Sequence, residues 1–131
     1  MIDPDDPPRW WTPEEADSVL PRVTELANRA KAAMEALAEL NAEVAELGRT
    51  NGHGGPLAYH RAELDEVVSA LDEEGILLRD PLRGLVDFPA RAPVSGRGYW
   101  LCWLVGEPRV AWWHWPDAGF AGRTPLDRPP D

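Results

Sequence analysis

From Ala16 to Leu47 the apolar residues recur at alternating steps of three and four: Ala16, Val19, Val23, Leu26, Ala30, Ala33, Leu37, Leu40, Val44 and Leu47. Leu20, Ala27 and Met34 widen the stripe. A heptad pattern held this long predicts one long helix making coiled-coil-like contacts. Its start is written in Thr12-Pro13-Glu14-Glu15, with Thr12 as N-cap, Pro13 as the first helical residue and Glu15 as the capping-box partner. Trp11, just before the cap, is placed to staple onto Ala16. Gly48 supplies a left-handed stop, giving a helix over 12–48 that spans about 55 Å. Pro21 lies inside it and is expected to kink it near the second turn.

The same periodicity returns more briefly at Leu57, His60, Leu64, Val67 and Leu71, predicting a second helix over 57–74 stopped by Gly75. At about 27 Å it is too short to cover the first helix's whole stripe. The sheet or a second copy of the chain must cover the remainder. Between the helices, RTNGHGGP (49–56) reads as a glycine-rich turn with His53 in solvent. His60 falls on the apolar stripe and reads as a hydrogen-bonded core histidine, unless it turns toward His114.

After Gly75 the period changes from helical to alternating. Ile76 to Asp80 predicts a strand, Pro81 to Gly84 a turn, and Leu85 to Pro89 a second strand whose proline calls for an edge or a bulge. The stretch GYWLCWLVGEPRVAWWHW (98–115) holds five of the seven tryptophans. Val105-Gly106-Glu107-Pro108 interrupts it, which predicts a hairpin. With Gly106 and Glu107 at the turn centre, Tyr99 faces His114, Leu101 faces Trp112, Trp103 faces Val110, Cys102 faces Ala111 and Trp100 faces Trp113. Both faces of this hairpin are then apolar, so both need cover. They form either a two-sided core or a core on one side and a pocket or partner surface on the other. Residues 116–123 read as an ordered loop folded back on the protein, 124–131 as a disordered tail and 1–9 as a mobile acidic leader. The expected fold class is α+β: a single domain in which a long antiparallel helical hairpin packs on a small antiparallel sheet of three to four strands over 76–115.

Composition narrows the partners. Thirteen basic against 23 acidic residues give a net charge of −10, with no basic cluster to meet phosphates, so no nucleic-acid partner is expected. Cys102 stands alone, which excludes a disulfide framework and a cysteine-rich zinc site and suggests a small core hydrophobe. The N-terminus lacks the basic and apolar regions of a signal peptide. The longest apolar run, Tyr99 to Val105, falls far short of the roughly 20 residues of a spanning helix. No membrane partner is expected, and the expected location is cytoplasmic.

Several segments carry a resemblance that covers nearly the whole chain: WTPEEA (11–16) followed by Leu20-Pro21, GLVDFP (84–89), YWLCW (99–103), Trp113-His114 and GFAGR (119–123). Together, in this order, they resemble a family of bacterial proteins known only as domain of unknown function 2203. The turn at 49–56 departs from the shorter helical linkers of that family. The resemblance implies no activity, cofactor or substrate.

No phosphate-binding glycine loop, HExxH, nucleophile elbow or dinucleotide fingerprint is present. What remains is a set of polar residues in or beside the aromatic sheet: Asp87, Tyr99, His114, Asp117 and Arg123, with Trp103 and Trp112 lining an aromatic face. An aspartate holding one imidazole nitrogen raises the basicity of the other, which suits a general base or a metal ligand. Asp87, His114 and Asp117 are the candidate metal ligands. The alternative is a buried structural pair of Asp87 and His114 closed by Arg123. Three functions follow: a homodimeric interaction or scaffold protein joined through its helices, a small-molecule or metal binder, and a hydrolase-like enzyme on the same residues.

Overall fold

The computed structural model describes residues 2–48, 52 and 54–131; the reading of His53, and of residues 49–51 in the turn, lies outside the described residues. Helix α1 runs Pro13–Leu47. Its predicted capping box is complete: the Glu15 amide donates to Thr12 Oγ1 at 3.1 Å and the Thr12 amide donates to Glu15 Oε1 at 3.0 Å. Gly48 ends the helix at φ 68°, a left-handed conformation that glycine adopts without side-chain strain. The helix is continuous across Pro21.

Helix α2, Gly54–Glu73, starts earlier than expected. Its first turn is Gly54-Gly55-Pro56, where the amide that Pro56 lacks has no intrahelical partner to serve. The two helices are joined by ion pairs of Arg29 with Glu63 at 2.7 Å and of Arg22 with Glu74. Toward its N-terminus, Ala16 and Leu20 of α1 enter the same buried cluster as the strands. The sheet therefore packs on the N-terminal turns of the stripe, beyond the end of α2.

The sheet has five antiparallel strands in chain order: β1 Leu77–Asp80, β2 Leu85–Arg91, β3 Gly98–Leu104, β4 Trp112–His114 and β5 Thr124–Pro125. The expected three to four strands become five because residues 124–131, read as a disordered tail, supply β5. The Leu126 amide bonds the Ala111 carbonyl at 2.9 Å, and the Trp113 indole donates to the Arg128 carbonyl at 2.8 Å. The Asp131 carboxylate accepts the amides of Val94 and Ser95 at 3.2 and 2.7 Å. An open edge on β4 and a buried indole N–H both need partners, and this segment provides them. Residues 2–9, read as mobile, also pack: Ile2 is buried, and the Pro4 carbonyl occupies the space a side chain on Gly98 would need.

Pro89 obeys its constraint. β1 pairs with β2 only as far as Asp87, so Pro89 stands where the β1 side of the strand is open. There its carbonyl accepts the Trp11 amide at 2.7 Å.

The hairpin register differs by one residue from the expectation. The pairs are Trp100 with His114, Leu101 with Trp113 and Cys102 with Trp112. The turn closes on Leu104, whose carbonyl accepts the Glu107 amide at 2.9 Å and whose amide donates to Glu107 Oε1 at 2.8 Å. The Val110 amide then turns away from β3 and donates to Asp17 Oδ1 of α1 at 2.7 Å. Pairing resumes only at Trp112, one step displaced. A one-residue slip sends every side chain to the other face, and here it moves His114 away from Tyr99.

Candidate functional site

The register divides the sheet into two faces. One carries Leu78, Val86, Phe88, Ala90, Tyr99, Leu101, Trp103 and Trp113, all in the cluster shared with α1 and α2. The other carries Asp87 and Pro89 of β2, Trp100 and Cys102 of β3, and Trp112 and His114 of β4. No helix of that cluster lies on this second face; arginines do. The Arg79 guanidinium stands 5.1 Å from the Trp100 ring, and that of Arg123 lies 4.5 Å from Trp112 and 4.4 Å from Phe120. Arg91 stacks on Trp10 at 4.5 Å. Such pairs stabilise by about 0.5–1 kcal/mol each where exposed, and their planar heads seal apolar ground while staying wet at one edge.

Beneath this layer lie three chemically distinct groups. Asp87 and Cys102 are 0 % exposed and His114 is 1 % exposed. One ligand atom from each lies within 4.8 Å of the others. Cys102 sits on the strand between the other two, and its small side chain leaves room for a carboxylate and an imidazole from flanking strands to meet. His114 Nε2 is 3.1 Å from Asp87 Oδ2, and Nδ1 is 2.8 Å from the Trp115 carbonyl. Both ring nitrogens thus face oxygen atoms.

Arg79 Nε also donates to Asp87 Oδ2. Arg79 falls where the register shifts between Leu78 and Asp80, and a bulge of this kind re-aims a side chain. Asp87 Oδ1 is left over: among the described residues it is the buried side-chain polar atom without a hydrogen-bond partner. On the far side of the cysteine, Arg123 is held by Glu107 through two bonds of 3.1 and 2.7 Å. Burial pushes the Cys102 thiol up to about 12; the Asp87 charge adds to this and Arg123 opposes it. A thiol so placed is neutral at pH 7 and is no activated nucleophile.

The residues singled out from the sequence therefore separate. Asp87, Trp112, His114 and Arg123 meet on the arginine-covered face. Tyr99 and Trp103 lie on the helix-facing side, where burial, and then the Glu14 charge, holds the Tyr99 hydroxyl above its ordinary range. Asp117 is 82 % exposed and 3.8 Å from Arg97, apart from the cluster. The carboxylate of Asp87 is closed by Arg79, whereas Arg123 pairs with Glu107. His60 is half-buried against Tyr59, ring centroids 5.2 Å apart, and does not join the cluster. Sequence reasoning missed Cys102, Arg79 and Glu107. The signal for Cys102 was its place inside the LCW run, which the displaced register hid.

Fold and site together define an α+β protein with a helical hairpin on one side of a five-strand meander and a buried Asp/Cys/His centre on the other. GLVDFP, LCW, WH and GFAGR each contribute one side chain to that centre or to its cover: Asp87, Cys102, His114 and Arg123. The chain belongs to the family described as Uncharacterized conserved protein (DUF2203), whose model matches residues 9–126. Comparison with curated proteins and with solved structures returns no match.

Proposed function

We propose that the protein is a binding protein whose centre is Asp87, Cys102 and His114, holding a small molecule or a metal ion beneath the arginine layer. The observation that carries this reading is the unpartnered Asp87 Oδ1, fully buried next to an imidazole and a thiol. Leaving a buried polar atom unsatisfied costs about 1–3 kcal/mol, and more for a charged group. A ligand offering a donor or a positive charge to that oxygen removes the cost. Native mass spectrometry of protein purified without chelator tests it, beside the Asp87→Ala and His114→Ala variants. The expected result is an added mass on the wild type that both variants lose; a bare wild-type chain counts against the reading.

A second reading, a cytoplasmic homodimer joined through coiled-coil-like contacts of the hairpin, has its own support. At the hairpin's free end Leu40 and Val44 are half-buried, while Leu47 and Tyr59 are 54 % and 66 % exposed. Such apolar ground at the end of a helical arm suits another helix pair. No helix among the described residues is long and apolar enough to cross a membrane. Sedimentation equilibrium of the wild type and of the Leu47→Glu/Tyr59→Ser variant decides it: a dimer that the substitutions dissociate supports the reading, and a monomeric wild type ends it.

A further inference from the structure

We infer that Asp87, Cys102 and His114 are three protein ligands of a thiophilic divalent cation, zinc before any other. This rests on the binding-protein reading and names its ligand class. The set offers one oxygen, one sulfur and one nitrogen within 4.8 Å of one another, a donor mixture that suits zinc and not the oxygen-seeking magnesium or calcium. His114 is oriented as a ligating histidine is oriented: Nδ1 is anchored on a backbone carbonyl, which aims Nε2 into the cluster. Asp87 is divided in the same way. Oδ2 is held by Arg79 and meets His114 Nε2, while Oδ1 is buried with no hydrogen-bond partner and keeps its lone pairs free for an ion.

The two arginines fit as outer supports of such a centre. Arg79 fixes the carboxylate plane, and Arg123, its charge offset by Glu107, lies close enough to act on the cysteine sulfur. As the metal–sulfur bond forms, the Cys102 thiol proton passes to solvent, and the Asp87 and Cys102 charges together offset the two positive charges of the ion. Three protein ligands leave one position of a tetrahedral ion for water or a small exogenous group.

The test uses the full-length protein, stripped with chelator and returned to chelator-free buffer, then titrated with Co²⁺ as a spectroscopic stand-in for zinc. The expected result is saturation at one equivalent, with a thiolate-to-cobalt charge-transfer absorption and the intense visible bands of a tetrahedral ion, both abolished by added Zn²⁺. Cys102→Ala removes the charge-transfer absorption. Arg79→Gln, whose side chain is 36 % exposed and whose folding is therefore less at risk, keeps the absorption but weakens the metal about 10- to 100-fold. Folded wild type that gives no charge-transfer absorption overturns the assignment, as does an absorption that persists unchanged in folded Cys102→Ala. If wild type ignores cobalt yet carries an organic mass that Asp87→Ala loses, the metal assignment falls and the binding-protein reading stands. If neither cobalt nor any co-purified mass binds, both fall.

Discussion

The two faces of one sheet solve the problem of burial in opposite ways. Toward the helices, Val86, Phe88, Leu101 and Trp103 are sealed by apolar side chains that carry few polar obligations. One residue further along the same strands, Asp87, Cys102 and His114 are buried as deeply under a thin cover of arginines and aromatic rings. Equal burial therefore does not mean equal purpose. The helix-facing side is stabilised by area removed from water. The other side spends stability on desolvated charge, and a buried ion pair is weak evidence for stability by itself.

The contrast is broken most forcefully at adjacent residues. Phe88→Ala is expected to cost about 3–5 kcal/mol through the cavity it leaves. Asp87→Ala is expected to cost about as much, 3–5 kcal/mol, because it strands His114 and Arg79 without their carboxylate. Urea titrations separate the causes through pairs. Asp87→Ala and His114→Ala combined should fall short of the sum of the singles by about 0.5–3 kcal/mol. Phe88→Ala with the remote Leu37→Ala should add to within about 0.5 kcal/mol. Additivity of Asp87 with His114 would show that the pair in the structure is not an energetic unit.

The link between the hairpin and α1 comes next. Asp17→Ala leaves the Val110 amide without its 2.7 Å partner and should cost about 1–3 kcal/mol. Amide exchange at Val110 should quicken while that at Leu101 stays slow. A variant as stable as wild type would mean that the displaced register is held by something other than α1.

Cys102 gives a pH-dependent contrast. In the metal-free protein its thiol is lifted from an ordinary 9.0 to about 12, so above pH 9 the unfolded chain loses this proton while the folded one keeps it. Stability should fall as pH rises from there toward the folded value, and the Cys102→Ala variant should lack that part of the fall. In the native state iodoacetamide should label Cys102 only as fast as the protein opens. Rapid stoichiometric labelling at neutral pH contradicts the burial.

The smallest effect belongs to the far end of α1. Thr12→Ala should lower stability by about 1 kcal/mol. The Glu15 carboxyl is held below its ordinary 4.5, chiefly by the backbone amide of Thr12. Its contribution is present above that value and is lost as pH falls through the lower folded one. The gap in melting temperature between wild type and Glu15→Gln should therefore close on acidification below pH 4.5.

What the sequence disclosed follows the range of the forces involved. Thr12, Pro13, Glu15 and Gly48 act within one turn of backbone, and the ends of α1 were legible to the residue. Asp87 and His114 stood out because polar residues inside apolar strands need a partner. The partner geometry was not legible, since the hairpin register goes with a hydrogen bond from Val110 to Asp17, residues 93 apart in the chain. That contact accompanies a hairpin displaced by one residue, and with the displacement Cys102 joins the site while Tyr99 and Trp103 leave it. β5 was hidden for a related reason: a proline-rich tail looks unstructured until the open edge of β4 and the Trp113 indole give it something to bind.

The measurement that bears most directly on the outer-face centre is a crystal structure of protein prepared without chelator, with anomalous data collected on both sides of the zinc absorption edge. The expected result is a ligand in contact with Asp87 Oδ1, and an anomalous peak between that oxygen, Cys102 Sγ and His114 Nε2 that vanishes below the edge. An Asp87 Oδ1 satisfied by water or a protein donor alone, with no peak and no other ligand beside it, would contradict the claim and leave the buried pair as structure.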